Sequence, residues 1–194
     1  MQSFSGKPFP QRPFEIETLA QLMVARKCRS YLEIGARFGD SFHYLATRGL
    51  VGNDKCRVVA VDWPGQAWGN KDSEALLRKA ADALNMRNST HATVICGDSR
   101  AQETIDEAER LGPYDAVFID GDHTAEGVLA DWTNYGPMAR KLVAFHDIDA
   151  DSKPKKKAAR FGVPALWREL KATRPHVEII SSERQMGIGI LFVE

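Results

Sequence analysis

Short apolar runs recur along this chain, and most of them stop at Gly or Asp just before a helical stretch begins. Tyr31–Gly35, Arg57–Asp62, Ala92–Gly97, Tyr114–Ile119 and Lys141–Phe145 have the length and β-branched content of strands. Between them, Ser41–Arg48, Asp72–Leu84, Ser99–Leu111 and Thr124–Tyr135 follow a helical pattern. A helix over Pro13–Arg26, opened by Pro13 with Glu15 and Glu17 in its first turns, precedes the series. Another, Val163–Ala172, follows it. Strand and helix in alternation require a mostly parallel sheet with helices on both faces. Two closing strands, Val177–Ser181 and Ile188–Val193, are joined by a short connection, which favours an antiparallel pair. The expected fold is α/β, a Rossmann-like sheet of about seven strands with an antiparallel last strand.

With 194 residues, the chain suffices for one domain with a full core, expected over 1–194. Formal net charge is zero, so no long-range field favours nucleic acid or anionic membranes as partners. Cys28, Cys56 and Cys96 form no CxxC, which argues against a disulfide framework or structural zinc and fits a reducing, cytoplasmic setting. Cys96, inside an apolar run, is expected in the core. No apolar run approaches a membrane span, and the first residues lack a signal-peptide core. Residues 1–12 read as an extended arm. Residues 149–162, with Lys153, Lys155, Lys156 and Lys157, read as a mobile basic loop, either solvated or a lid that supplies positive charge.

The strand ends carry the chemistry. Tyr114–Ile119 runs into Asp120-Gly121-Asp122-His123, and Lys141–Phe145 runs into His146-Asp147. Ligands of open α/β sheets sit outside such C-terminal ends. Glu33-Ile34-Gly35-Ala36-Arg37-Phe38-Gly39 is a strand–turn–helix unit whose glycines allow close backbone approach. Asp62 ends the next strand and suits ribose hydroxyls, with Trp63 beside it for an adenine face. Gly97-Asp98-Ser99 ends the third strand, where Asp98 and Ser99 either frame an adenine or cap the next helix. Asp40 or Ser41, and Asp72 or Ser73, are the expected caps of two other helices.

A row of acidic strand ends matches a ligand with a cationic centre, a ribose and an adenine. The stretches YLEIGARFGDS, VVAVD, VICGDS, YDAVFIDGDHTAEGVLAD, LVAFHDI and GVPALWREL resemble the class I S-adenosylmethionine (SAM)-dependent methyltransferases, and more specifically the methyltransferase 24 family. The resemblance runs from Tyr31 to about Leu170 and is most specific in IDGDH and HDI. It implies a class I methyltransferase sheet and SAM as cofactor. Glu33, Gly35, Ala36 and Arg37 would lie by the methionine moiety and sulfonium. Asp62 would hold the ribose, Gly97, Asp98 and Ser99 would frame the adenine with Trp63 over its face, and Asp120 would lie where the methyl leaves. In metal-dependent relatives the positions of Asp120, His146 and Asp147 bind a divalent cation. This chain departs from them with His at 146, which suits manganese, iron, zinc or nickel, or no metal at all, better than magnesium. In related sugar methyltransferases with a D-x-x-H arrangement the His is a general base, and Asp120 and His123 have that spacing.

The chemistry points the same way. Methyl transfer from a sulfonium needs an in-line nucleophile, and a hydroxyl must lose its proton as it attacks. An imidazole suits that task, which makes His123 and His146 the candidate catalytic groups beside Asp120. O-methylation of a small-molecule, sugar or glycan hydroxyl is therefore the leading expectation, and a homo-oligomer is left open. Two alternatives stand beside it: a nicotinamide-dependent oxidoreductase, against which Arg37 replaces the middle glycine of G-x-G-x-x-G, and a non-catalytic nucleotide-binding protein.

Overall fold

A computed structural model describes residues 3–7, 9, 11–52, 56–65, 72–87, 89–150, 161–182 and 186–193. Helix α1 (Pro13–Ala25) leads into strand β1 (Ser30–Ile34), α2 (Asp40–Arg48), β2 (Cys56–Asp62), α3 (Ser73–Asn85), β3 (Thr90–Cys96), α4 (Gln102–Leu111) and β4 (Tyr114–Ile119). There follow α5 (Ala125–Tyr135), β5 (Ala139–His146), α6 (Val163–Lys171), β6 (His176–Ile179) and β7 (Ile188–Phe192). The sheet order is β3-β2-β1-β4-β5-β7-β6. Strands β3 to β5 pair in parallel, and β7 runs antiparallel to both neighbours. The Rossmann-like sheet expected from the sequence is the sheet observed. No helix among the described residues is long and apolar enough to cross a membrane.

Successive side chains of a strand point to opposite faces, and here both faces are covered. Tyr31, Val58, Ala60, Phe118 and Ala144 join α1, α2 and α3 through Ile16, Leu19, Phe42 and Leu77. Leu32, Ile34, Val59, Val117 and Phe145 join α4, α5 and α6 through Ala108, Val128, Tyr135 and Trp167. Edge position overrides hydrophobicity in β3. Cys96, expected in the core, is exposed, because β3 has a neighbour on one side only and Cys96 is its last residue.

The capping expectations need correction. Helix α2 starts at Asp40 after Gly39 in the left-handed region, with no side-chain cap. Asp40 accepts from Ser5 and Ser41 donates to Glu33, so both side chains have tertiary partners instead. Helix α4 begins at Gln102 rather than near Ser99. Asp98 accepts from the Arg100 N–H at 2.9 Å, a local turn that delays the helix, and Ser99 donates to Asp131. Asp72 occupies the N-cap position of α3 without a side-chain capping bond. Thr124 does cap α5, accepting from the Gly127 N–H at 3.1 Å.

The chain turns outward from β1 in two directions, to β2 and β3 on one side and to β4 and β5 on the other. That makes the β1/β4 seam the topological switch point, where a ligand crevice forms beyond the strand ends. Gly35 leaves β1 there at φ +87°. A methyl group on it would lie 2.3 Å from the Asp120 carbonyl oxygen and 2.5 Å from Gly121 Cα. Both the dihedral and the contact exclude a side chain. Gly35→Ala is expected to cost more than the ~1–2 kcal/mol of the left-handed conformation alone, since backbone must also move. Urea unfolding of wild type and variant measures this; an unchanged midpoint would contradict the close approach.

Candidate functional site

The end of β4 and the end of β5 meet around the Asp120 carboxylate. Its Oδ1 lies 2.9 Å from His146 Nδ1 and 3.3 Å from His123 Nε2. Its Oδ2 accepts from Gln11 Nε2 at 2.6 Å. His123 turns its other nitrogen, Nδ1, to Asp147 Oδ2 at 2.8 Å. The result is a chain Asp147–His123–Asp120–His146. The Asp120–His146 contact is short but poorly aligned, and both ring nitrogens of His146 are buried without a hydrogen bond among the described residues. Asp147 holds φ +63°, a left-handed conformation for a non-glycine residue, which marks a position under constraint.

Charge explains the protonation of this group. Burial alone would raise the Asp120 pKa, but His146 and His123 beside it hold the carboxyl well below the usual range. Burial opposes charge on His123 as well, yet bonds to Asp120 and Asp147 push it up to about 10. His146 is raised for the same reason, chiefly by Asp120.

Further along the strand ends, the carboxylates behave in the opposite way. Glu33 is fully buried beneath the Gly35 turn and accepts from the Tyr31 and Ser41 hydroxyls. Burial outweighs those donors and pushes its pKa up to about 8. Asp62 accepts from the Arg37 N–H at 2.9 Å, which ties the β1 turn to the end of β2. Arg37 has φ +49° there. Burial again wins over Arg37, raising Asp62 to about 6. Asp98, nearer the surface, is instead held low: burial works against it, but the Arg100 N–H and guanidinium prevail.

The structure therefore brings Glu33, Gly35, Ala36, Arg37 and Asp62 to one turn, and Asp120, His123, His146 and Asp147 to one cluster beside it. Gly97 joins them through its N–H, which donates to the Asp62 carbonyl at 2.9 Å. Trp63 follows Asp62 and is half exposed. Most of the basic loop, 151–160, lies outside the described residues. Its two ends are held in the fold. Asp149 is buried and its N–H donates to the Met186 carbonyl at 2.7 Å. The Gly162 N–H donates to the His123 carbonyl at 2.7 Å, and Phe161 packs on the His123 ring at 5.3 Å.

Several contacts of the site were not anticipated from sequence. Tyr31 and Ser41 donate to Glu33, and the signal was weak because both types are common in strands and turns. Asp131 had a clearer signal, a carboxylate at helical spacing from Val128 and Tyr135 on the buried face of α5. It is fully buried, accepts from Ser99 Oγ at 2.6 Å, and is raised to about 6 by burial. Tyr135 donates to the Ser99 carbonyl at 2.8 Å, so α5 fixes the turn after β3 from below. Gln11 comes from a Pro-rich arm with no periodicity.

The donor chemistry tests the divalent-metal expectation. Among the described residues no group of three or more His, Cys, Asp or Glu side chains is arranged to hold a metal ion. The Asp120 oxygens already face two imidazoles and an amide N–H, and a protonated imidazole offers a metal no lone pair. With both Asp120 oxygens so engaged, the cluster does not fit a divalent metal ion.

The Glu33 shift predicts a pH dependence of stability. Its unfolded value is near 4.5 and its folded value about 8, so the folded state holds the extra proton in that window. The contribution is complete below the unfolded value and is lost as pH rises through the folded one, at up to ~1.4 kcal/mol per pH unit. Glu33→Gln, which cannot ionise, should therefore gain stability relative to wild type from acid to pH 8. A constant difference across that range in urea melts would show that folding leaves the Glu33 pKa unshifted.

The comparisons with known proteins agree with this fold. An O-methyltransferase from Bacillus cereus, solved in complex with SAH, superposes with a TM-score of 0.67 at 18% identity, covering 97% of this chain and 84% of that one. The cofactor-bound protein Rv0187 from MTB gives 0.70 at 18% identity, with 96% and 83% covered. The O-methyltransferase TomG from Streptomyces achromogenes, involved in tomaymycin synthesis and solved with SAM, gives 0.64 at 19%, with 92% and 79% covered. Likeness at this identity speaks to fold. Comparison with curated proteins finds no match. The model of the methyltransferase 24 family, described as a methyltransferase domain, matches residues 32–148. That span holds every strand end described above from Glu33 to Asp147, and the chain belongs to this family.

Proposed function

We propose that this protein is a SAM-dependent O-methyltransferase acting on a hydroxyl of a small molecule, sugar or glycan. The observation that carries this is the pairing of two acidic groups at the switch point. One, Glu33 with Asp62, has only hydroxyls and a backbone N–H for hydrogen-bond partners among the described residues, so a cationic nucleoside would supply the paired counter-charge it lacks. The other, Asp120 with Asp147, holds an imidazole in place.

In this reading the sulfonium and methionine moiety lie by Glu33, Gly35, Ala36 and Arg37. The ribose hydroxyls lie on Asp62, with Trp63 over the base, and the adenine sits against Gly97, Asp98 and Ser99. A bound sulfonium is a cation close to Glu33, which favours loss of the Glu33 proton. The methyl acceptor approaches from the Asp120 side. As its oxygen forms the new bond to the methyl carbon, the S–CH3 bond breaks and the hydroxyl proton passes to His123, leaving S-adenosylhomocysteine (SAH). Asp147 and Asp120 orient the imidazole and stabilise the imidazolium that forms. In the resting cluster those same carboxylates keep His123 protonated, so the imidazole must first be neutral; the sulfonium's charge, placed beside Asp120, works in that direction.

Isothermal titration with SAM and SAH tests the cofactor, with NADH as the counter-case. Binding of SAM in the micromolar range with no NADH heat is expected; no heat from SAM at high micromolar concentration would overturn the assignment. Transfer of labelled methyl from SAM to a panel of sugars and phenolic or aliphatic alcohols then gives the acceptor class. With an acceptor found, His123→Ala is expected to lower kcat by about 10²–10⁴, the usual contribution of a general base, with SAM affinity nearly unchanged. Unchanged kcat would remove His123 from the mechanism.

A further inference from the structure

The arm before α1 is built into the reaction centre. Ser5 makes two bonds to Asp40, from its N–H at 2.8 Å and its hydroxyl at 2.5 Å. Phe4 stacks on His43 with ring centroids 4.5 Å apart, and Phe9 meets Tyr44 edge-on at 5.9 Å. Three anchors on α2 thus lead to Gln11, which is 3% exposed and donates to Asp120 Oδ2 at 2.6 Å across 109 residues of sequence. Gln11 lies outside the residues that the family match covers.

Only half of the Gln11 amide is used by this contact. Its Oε1 is buried and has no hydrogen-bond partner among the described residues. A buried carbonyl without a donor is unfavourable, and a ligand that brings an N–H or O–H relieves it. Its surroundings select the kind of donor. Asp120 is in contact, and Gly35 abuts the Asp120 backbone with Glu33 two residues before it. The two imidazoles face the other Asp120 oxygen, Oδ1, so on the Gln11 side the acceptors, a carbonyl and a carboxylate oxygen, suit a charged donor over a neutral one.

We propose that Gln11 is a cofactor-positioning residue: its Nε2 fixes the Asp120 carboxylate and its Oε1 accepts a hydrogen bond from the α-ammonium of the cofactor's amino-acid end. This rests on the SAM assignment above. The arm then acts as a strap that places the amino-acid end of the cofactor against the β1/β4 seam.

Two ligands separate this role from general support of the fold. SAH carries the ammonium. 5′-Methylthioadenosine has the same adenosine and thioether and lacks the amino-acid portion. Isothermal titration of both into wild type, Gln11→Ala and the size-matched Gln11→Met is the test. Both variants are expected to weaken SAH about tenfold or more, the scale of a hydrogen bond to a charged group, and to change 5′-methylthioadenosine less than twofold. Equal weakening of both ligands would make Gln11 a structural residue and overturn the proposal, and so would no weakening of either. If wild type binds neither ligand, the SAM assignment itself fails.

Discussion

The contact on which this structure depends is the meeting of two backbones at the end of the sheet, Gly35 of the β1 turn against Asp120 and Gly121 after β4. Because β1 sits between β2 and β4, the chain diverges there and leaves a crevice, and only a residue without a side chain lets the two ends come so near. Everything chemical lies within reach of that seam. Glu33 is beneath it, Asp62 is tied to it through the Arg37 N–H, and Asp120 forms its wall.

Like residues do unlike work on the two sides of the seam because their surroundings differ. Glu33 is buried among hydroxyls, and Asp62 is half-buried with a backbone N–H from Arg37, so desolvation dominates and both resist ionising. Asp120 is only partly buried, and two imidazoles face it and keep it charged. One side thereby lacks a paired counter-charge for its carboxyls among the described residues, and the other holds an imidazole oriented between carboxylates.

Much of this was legible before the structure. Alternating apolar runs and amphipathic stretches specify the order of strands and helices, and the ends of strands name Glu33, Asp62, Asp98 and Asp120, because periodicity of 2 against 3.6 is a local property of the chain. What was not legible is tertiary. Ser99 and Asp40 have the residue types of helix caps, and their side chains went to distant partners instead. Cys96 has the hydrophobic neighbours of a core residue, and strand order left it at an edge. Gln11 carries no local pattern at all; only the folded arm brings it to Asp120. The fold follows from pattern, whereas the partner of each polar side chain follows from topology.

A crystal structure grown with S-adenosylhomocysteine tests the central claim most directly, that the acidic strand ends form one cofactor site. The account predicts the ligand across the β1/β4 seam, its ribose hydroxyls on Asp62, its adenine against Asp98 and Ser99, and its sulfur facing the Asp120–His123 pair. An empty crevice at saturating ligand, or a nucleoside bound elsewhere on the molecule, would contradict it.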